Sequence, residues 1–412
     1  MLENPPREKK WISWLWVAAW SLLIFVTIPL ARLIQDYVSQ QWGRTAFTYT
    51  VLATIMGALL AAAIRLYRSP SANRRNYLWL LSIAVFFSGY TYKLGQKSPE
   101  EAVHFVQYGV LGVLVYRALR HTRQDVSIYF AAALLCGSIG TVDEFVQWLT
   151  PGRFWGLRDI WINFLAGALI QLAIAKGLQP KLIVGRPTRA SLRYACRLTL
   201  LAAALLGLSL LNTPARIAWV AERIPGLGYL RNNDSVMVEY GYRYEDPEIG
   251  VFRSRLSPEI LRRTDLERGK SAAKFLDLYK DRPGYRDFLE IYTPVNDPFL
   301  HEARVHLFSR DQNFFWAVQP ETDPKTRAKC LTAAFFENRI MEKYFPQTLG
   351  HSTYLWTTRQ RALAAENIVP DTVHESWVSR DLITRFSETQ VGLFFVLLIL
   401  ILGLLERRFA NR

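Results

Sequence analysis

The chain has 412 residues, half of them hydrophobic and 13% aromatic, with a formal charge of +15 and a pI near 9.8. Those figures suit a basic soluble protein, but long uncharged runs alternate with short Lys/Arg-rich connections, the pattern of a polytopic helical membrane protein. The charge therefore calls for no nucleic-acid partner, and three scattered cysteines (Cys136, Cys196, Cys330) exclude a disulfide framework or a metal-ligand spacing.

In chain order, MLENPPREKK and the Trp-rich run from Trp11 are superficially similar to a signal peptide. The apolar stretch is long and no small-residue cleavage site follows it, so it reads as a retained signal-anchor helix. Apolar windows of span length lie near 11–33, 46–66, 77–93, 101–119, 126–149, 158–177, 192–211 and 390–406, predicting eight crossings. They group as an N-terminal hairpin (1–74), a central membrane domain (75–180), a seventh helix (181–212) and a last helix with a basic tail (389–412). Counted in order, the basic connections fall on one side: Arg7 with Lys9 and Lys10, 65–75, 117–123, 176–193 and the tail. The positive-inside rule then places both termini in the cytoplasm, with the 176–193 connection against anionic lipid heads.

The interval 213–388 is mixed-charge and Pro-punctuated, and falls outside the cytoplasm on the same count. Alternating stretches at 287–294 (DFLEIYTP) and 303–310 (ARVHLFSR) predict half-buried strands. The run 325–345 predicts an amphipathic helix with Leu331, Phe335 and Ile340 on or near one face. The interval is long enough for one α+β domain with its own core. His301 and His306 in HEARVH are five apart, against the four of the zinc-protease motif, so the pattern argues against a metal there. The fold class expected is thus mainly α, a helical membrane protein with an extracytoplasmic α+β domain inserted before the last helix.

The polar residues inside the apolar helices carry the functional reading. Spans four and six begin, and span five ends, at the outer face. Glu101, His104 and Tyr108 recur at i, i+3 and i+7, with Pro99 in the first turn of that helix and Ser98 as its cap. Asp143, Glu144 and Gln147 close span five; after a Pro151-Gly152 turn come Arg153, then Arg158, Asp159 and Asn163. Small residues on the same helices (Gly109, Gly112, Gly137, Gly140, Ala166, Gly167) allow close packing. Arginines at a lipid boundary suit phosphate or carboxylate, and a histidine beside a carboxylate suits acid–base work, so His104 and Glu144 are the catalytic candidates. Glu144 paired with Arg153 or Arg158 would instead be a structural ion pair, and the arginines alone would serve as headgroup anchors.

The series Glu101, His104, Tyr108, then Asp143, Glu144, Gln147, Pro151, Gly152, Arg153, Asp159, Asn163 and Gly167 resembles the VanZ-like family of small multi-pass bacterial membrane proteins, over about 75–180. The resemblance implies a cell-envelope role in a bacterial plasma membrane, linked in that family to glycopeptide tolerance, with these positions as the shared site. The added helices and the large insert depart from the compact family pattern and leave the link to resistance unsupported in this chain. The expected partner is a membrane lipid or lipid-linked cell-wall precursor bound through an anionic headgroup, with no cofactor and no metal. The alternative is a non-catalytic scaffold that engages an envelope protein through the 213–388 domain. Transport ranks behind both, because it would place charge near mid-bilayer.

Overall fold

The structure, a computed structural model, describes residues 8–43, 45–69, 73–97, 99–151, 153–232, 236–370 and 372–410. Arg7, Ser98, Gly152 and the last two residues of the basic tail, all invoked above, lie outside the described residues. Two compact units emerge: 1–209 together with 393–412, and 210–392. The N-terminal hairpin, central domain, seventh helix and last helix, treated separately in the sequence, thus belong almost wholly to one unit.

That unit contains α1 (Lys10–Trp42), α2 (Thr45–Tyr67), α3 (Arg74–Lys97), α4 (Pro99–Leu119), α5 (Ser127–Trp148), α6 (Leu157–Leu172) and α7 (Arg189–Leu210). Among the described residues, seven helical segments are long and apolar enough to cross a membrane: Lys10–Leu30, Thr45–Tyr67, Glu101–Leu119, Ser127–Trp148, Leu157–Leu178, Arg189–Leu210 and Glu388–Ala410. Eight were expected. The missing one, 77–93, is helical within α3, but Ser88, Tyr90, Thr91, Tyr92 and Lys93 make its second half less apolar than the other seven.

α4 sits at the centre of this bundle, against α1, α2, α3, α5 and α6. Phe105, Tyr108, Leu111, Val115 and Tyr116 are buried on it. Polar ties fix its neighbours: the Trp20 indole donates to the Gln107 carbonyl (3.0 Å) and the Gln171 amide to the Gly112 carbonyl (2.9 Å). α6 runs on through a π-helical turn, Ala173–Leu178, whose end would leave carbonyls unpaired. Asn76 of α3 donates to the carbonyls of Lys176 (3.2 Å) and Gly177 (2.9 Å) and closes it.

The second unit opens with α8 (Pro214–Arg223) and a hairpin of β1 (Tyr242–Asp246) and β2 (Gly250–Ser254), antiparallel with Tyr242 opposite Ser254. Among the described residues six helices follow: α9 (Pro258–Leu278), α10 (Arg282–Ile291), α11 (Pro298–Ala317), α12 (Pro324–Tyr344), α13 (Pro346–Gly350) and α14 (Thr358–Glu366). Four are started by a side chain that accepts a backbone N–H, with proline in the first turn: Ser257, Asp281, Asp297 and Asp323. A core of Phe252, Leu261, Leu276, Phe288, Leu300 and Ile340 joins hairpin and helices.

Two strand expectations are therefore corrected. The stretch 287–294 falls mostly in α10, and 303–310 lies wholly in α11, so the α+β architecture reduces to a helical unit carrying one hairpin. α11 misled because it is buried nearly all round: His301, Glu302, Arg304, His306 and Arg310 are inside together with Phe299, Leu300, Ala303 and Leu307. No single apolar stripe remains to betray the helical period. The helix expected at 325–345 is α12, with Leu331 and Ile340 buried.

The last helix, α15 (Glu388–Ala410), is held to α7 within the first unit by Glu406, which accepts from Arg193 (2.6 Å) and Arg197 (2.8 Å). Phe395 is buried against Gly207 of α7, while Phe394, Leu397, Leu400 and Leu404 face outward, a surface suited to lipid rather than water.

Candidate functional site

Close helix crossings bring the polar ends of α4, α5 and α6 together. A Cβ placed on Gly167 would stand 2.7 Å from the Cβ of Cys136, and one on Gly140 would stand 2.8 Å from the Cβ of Asn163 and 3.4 Å from the Tyr108 ring. On the third side, Gly112 approaches the Gly167 Cα to 3.4 Å on the same construction. Small residues thus let three backbones meet where side chains of ordinary size would hold them apart.

At that crossing Asp143 and Glu144 are fully buried, and Gln147, Asn163 and Tyr108 nearly or wholly so. Gln147 links the two acids. Its amide donates to Glu144 Oε1 (2.9 Å) and to Asp143 Oδ2 (3.4 Å), while its carbonyl oxygen accepts from Arg153 (3.2 Å). The backbone N–H of Gly156 donates to Glu144 Oε2 (2.9 Å). His104 Nδ1 lies 3.9 Å from Asp143 Oδ2, with 22% of its side chain exposed. Farther out, Arg158 holds Glu101 with two parallel hydrogen bonds, 3.2 and 2.8 Å. Asp159 stands at the start of α6, its Oδ2 2.8 Å from where a Gly156 Cβ would lie, so a side chain at 156 would displace the carboxylate.

All ten residues singled out in the sequence therefore lie on three adjacent helices and the loop joining two of them. Their roles divide. Arg158 is more than half exposed and engaged by Glu101, an outer rung rather than a buried clamp. Glu144 accepts from the Gln147 amide and from the Gly156 backbone N–H. Asp143 Oδ1 and the Tyr108 hydroxyl are buried neighbours that interact with each other, and neither has a hydrogen bond of regular geometry among the described residues. With Glu101, Asp143, Glu144 and Asp159 against Arg153 and Arg158, the centre is rich in acid, which favours a ligand that brings hydrogen-bond donors as well as negative charge.

One buried cluster in the second unit escaped the sequence. Glu337 of α12 accepts from Ser376 (2.6 Å), lies 2.7 Å from His306 Nδ1 and 3.5 Å from His374 Nε2. Burial alone would raise its pKa; the His306, His374 and Ser376 contacts hold it down at about 2. These residues are dozens of positions apart, so no local motif announces them. Burial, then the Arg255 charge, lowers His301 to about 4, while its Nδ1 meets the Tyr292 carbonyl at 2.8 Å. Among the described residues no three His, Cys, Asp or Glu side chains are grouped to hold a metal.

No family model, curated protein or solved structure matches this chain.

Proposed function

We propose that this chain is a multi-pass protein of a bacterial envelope membrane in which α4, α5 and α6 hold a polar centre against the headgroup of a lipid or lipid-linked cell-wall precursor. The observation that carries the reading is the complete burial of two adjacent carboxylates, Asp143 and Glu144, within a helix of membrane-crossing length. Such groups are costly in a membrane and mark sites of ligand or proton handling. Asp143 Oδ1 and the Tyr108 hydroxyl match hydroxyl or amine groups on a headgroup, and Arg153 with the outer Arg158 match its phosphate. Any turnover of that headgroup passes its proton through His104, the partly exposed group beside Asp143, with Glu144 behind it. The order of these residues, similar to the VanZ-like pattern, supports the envelope assignment. On this reading α3 makes an eighth crossing within the bundle, so that both termini are cytoplasmic and the second unit lies outside.

The test is native mass spectrometry of the full chain extracted from membranes. The reading expects one envelope lipid class to be retained by the wild type and lost from Asp143→Asn and His104→Ala while helicity is kept. Unchanged lipid content in both variants would remove its support. A second reading, a membrane scaffold acting through the second unit, is favoured by how fully Gln147 and Gly156 satisfy Glu144. It expects envelope function to survive His104→Ala and to vanish on deletion of 225–380.

A further inference from the structure

α2, α3, α4 and α6 with its π turn line a partly open cavity of about 860 Å³. Aliphatic side chains dominate its wall, among them Leu59, Leu80, Ile83, Val110 and Ile174, and Arg65, Arg117 and Arg120 also line it. Arg117 is sixteen residues beyond Glu101 on α4, roughly 24 Å along the helix, so this basic end is remote from the polar centre.

Arginines in the last turn of a helix are expected from the helix dipole alone, and Arg65 and Arg117 hold such positions in α2 and α4. Arg120 is different, because it is only 3% exposed. Burial first, and then the Arg65 and Arg117 charges, push its pKa down against the opposing pull of Tyr116. The single acid on the cavity wall among the described residues is Glu8, which pairs with Arg117 at 2.5 Å. Three cations and one anion thus bound an apolar cavity whose volume lies within the range of small-molecule sites, roughly 300–1,000 Å³. Water suits the basic end but not the aliphatic trough, and inorganic phosphate would leave that trough empty.

We infer that this cavity holds one anionic membrane lipid, its phosphate held by Arg65, Arg117 and Arg120 and its hydrocarbon chain against Leu59, Ile83 and Val110. Guanidinium groups bind phosphate with paired, charge-assisted hydrogen bonds, and the aliphatic wall takes the chain. The site is independent of the polar centre at the other end of α4.

The test offers the purified full chain phosphatidylglycerol or phosphatidylcholine with identical acyl chains and reads retention by native mass spectrometry. The wild type should retain phosphatidylglycerol about tenfold or more in preference, and excess inorganic phosphate should not displace it. Arg65→Gln combined with Arg120→Gln should abolish the preference. Val110→Trp should reduce retention of either lipid by filling the trough with the arginines intact. Repeating the comparison in an Asp143→Asn background removes binding at the polar centre, so that any preference left belongs to this cavity, which separates failure here from failure of the polar-centre reading. Equal retention of the two lipids by the wild type would overturn the inference, as would displacement by phosphate or an unaltered preference in the folded double variant. Should the variants fail to fold, the wild-type preference and the phosphate competition decide.

Discussion

Gly167→Ala tests the crossing on which the polar centre depends. The new methyl would lie 2.7 Å from the Cβ of Cys136 and 3.1 Å from its sulfur. Ordinary contact begins near 3.4 Å, so the shortfall to the Cβ is 3.4 − 2.7 = 0.7 Å. A Cβ cannot rotate away from its own backbone, so only separation of α5 from α6 relieves the clash. Overpacking of this kind costs about 1–3 kcal/mol. One turn away the same two helices meet at Gly140 and Asn163, so the separation should also open the polar centre. Denaturant unfolding of the full chain in mixed micelles measures the loss, and Cys136→Gly supplies the control. By removing the opposing Cβ it should recover most of the loss in the double variant, a coupling of about 1–2 kcal/mol. A Gly167→Ala effect below about 0.5 kcal/mol, or strictly additive single variants, would refute the reasoning.

Asp143→Asn and Glu144→Gln should differ in sign in the same assay. The first removes a buried charge and keeps an acceptor for Gln147, raising stability. The second turns an NH₂ toward either Gln147 or Gly156, each a donor to Glu144, and should cost about 1–3 kcal/mol. Asn76→Leu should cost a similar amount, about 1–3 kcal/mol, by unpairing the Gly177 carbonyl at the end of the π turn. In the second unit, Glu337 is lowered from 4.5 to about 2, so its stabilisation is full above pH 4.5 and lost as pH falls towards 2. The shift corresponds to about 3 kcal/mol. His301, lowered from 6.5 to about 4, is neutral when folded, so stability falls as pH drops from 6.5 to 4. Hydrogen exchange of α11 and α12 in the intact protein, corrected for intrinsic rates, should lose protection across pH 6.5 to 4. His301→Asn should remove that loss; protection independent of pH from 6.5 to 4 would contradict the His301 assignment, and protection independent of pH from 4.5 to 2 the Glu337 one.

Much of the membrane unit was legible because a lipid-crossing helix must be apolar for its whole length, and seven of the eight expected windows keep that signature. The 77–93 window was harder to place, since its tyrosines, serines and lysine are tolerated inside a bundle and equally at its margin. The convergence of Glu101, His104, Asp143 and Arg158 could be read from i, i+3 and i+7 spacing and the alternation of spans. Which partner each takes could not. That Arg158 meets Glu101, and that Glu144 is satisfied by the Gly156 N–H, follows from the course of the α5–α6 turn, which residue spacing does not encode. In the second unit, apolar alternation at 303–310 outweighed a better signal. Ser257-Pro258, Asp297-Pro298 and Asp323-Pro324 each mark a helix start by cap and first turn. The Arg65, Arg117 and Arg120 convergence was hidden because it joins two connections, 65–75 and 117–123, which a linear reading treats only as charge.

The most direct measurement is thiol accessibility in intact and inverted membrane vesicles, with single cysteines at His104 and Asp159 in a chain whose three natural cysteines are replaced. An impermeant maleimide should reach both positions from one compartment, as a shared end of α4 and α6 requires. Labelling of the two from opposite compartments would contradict the account.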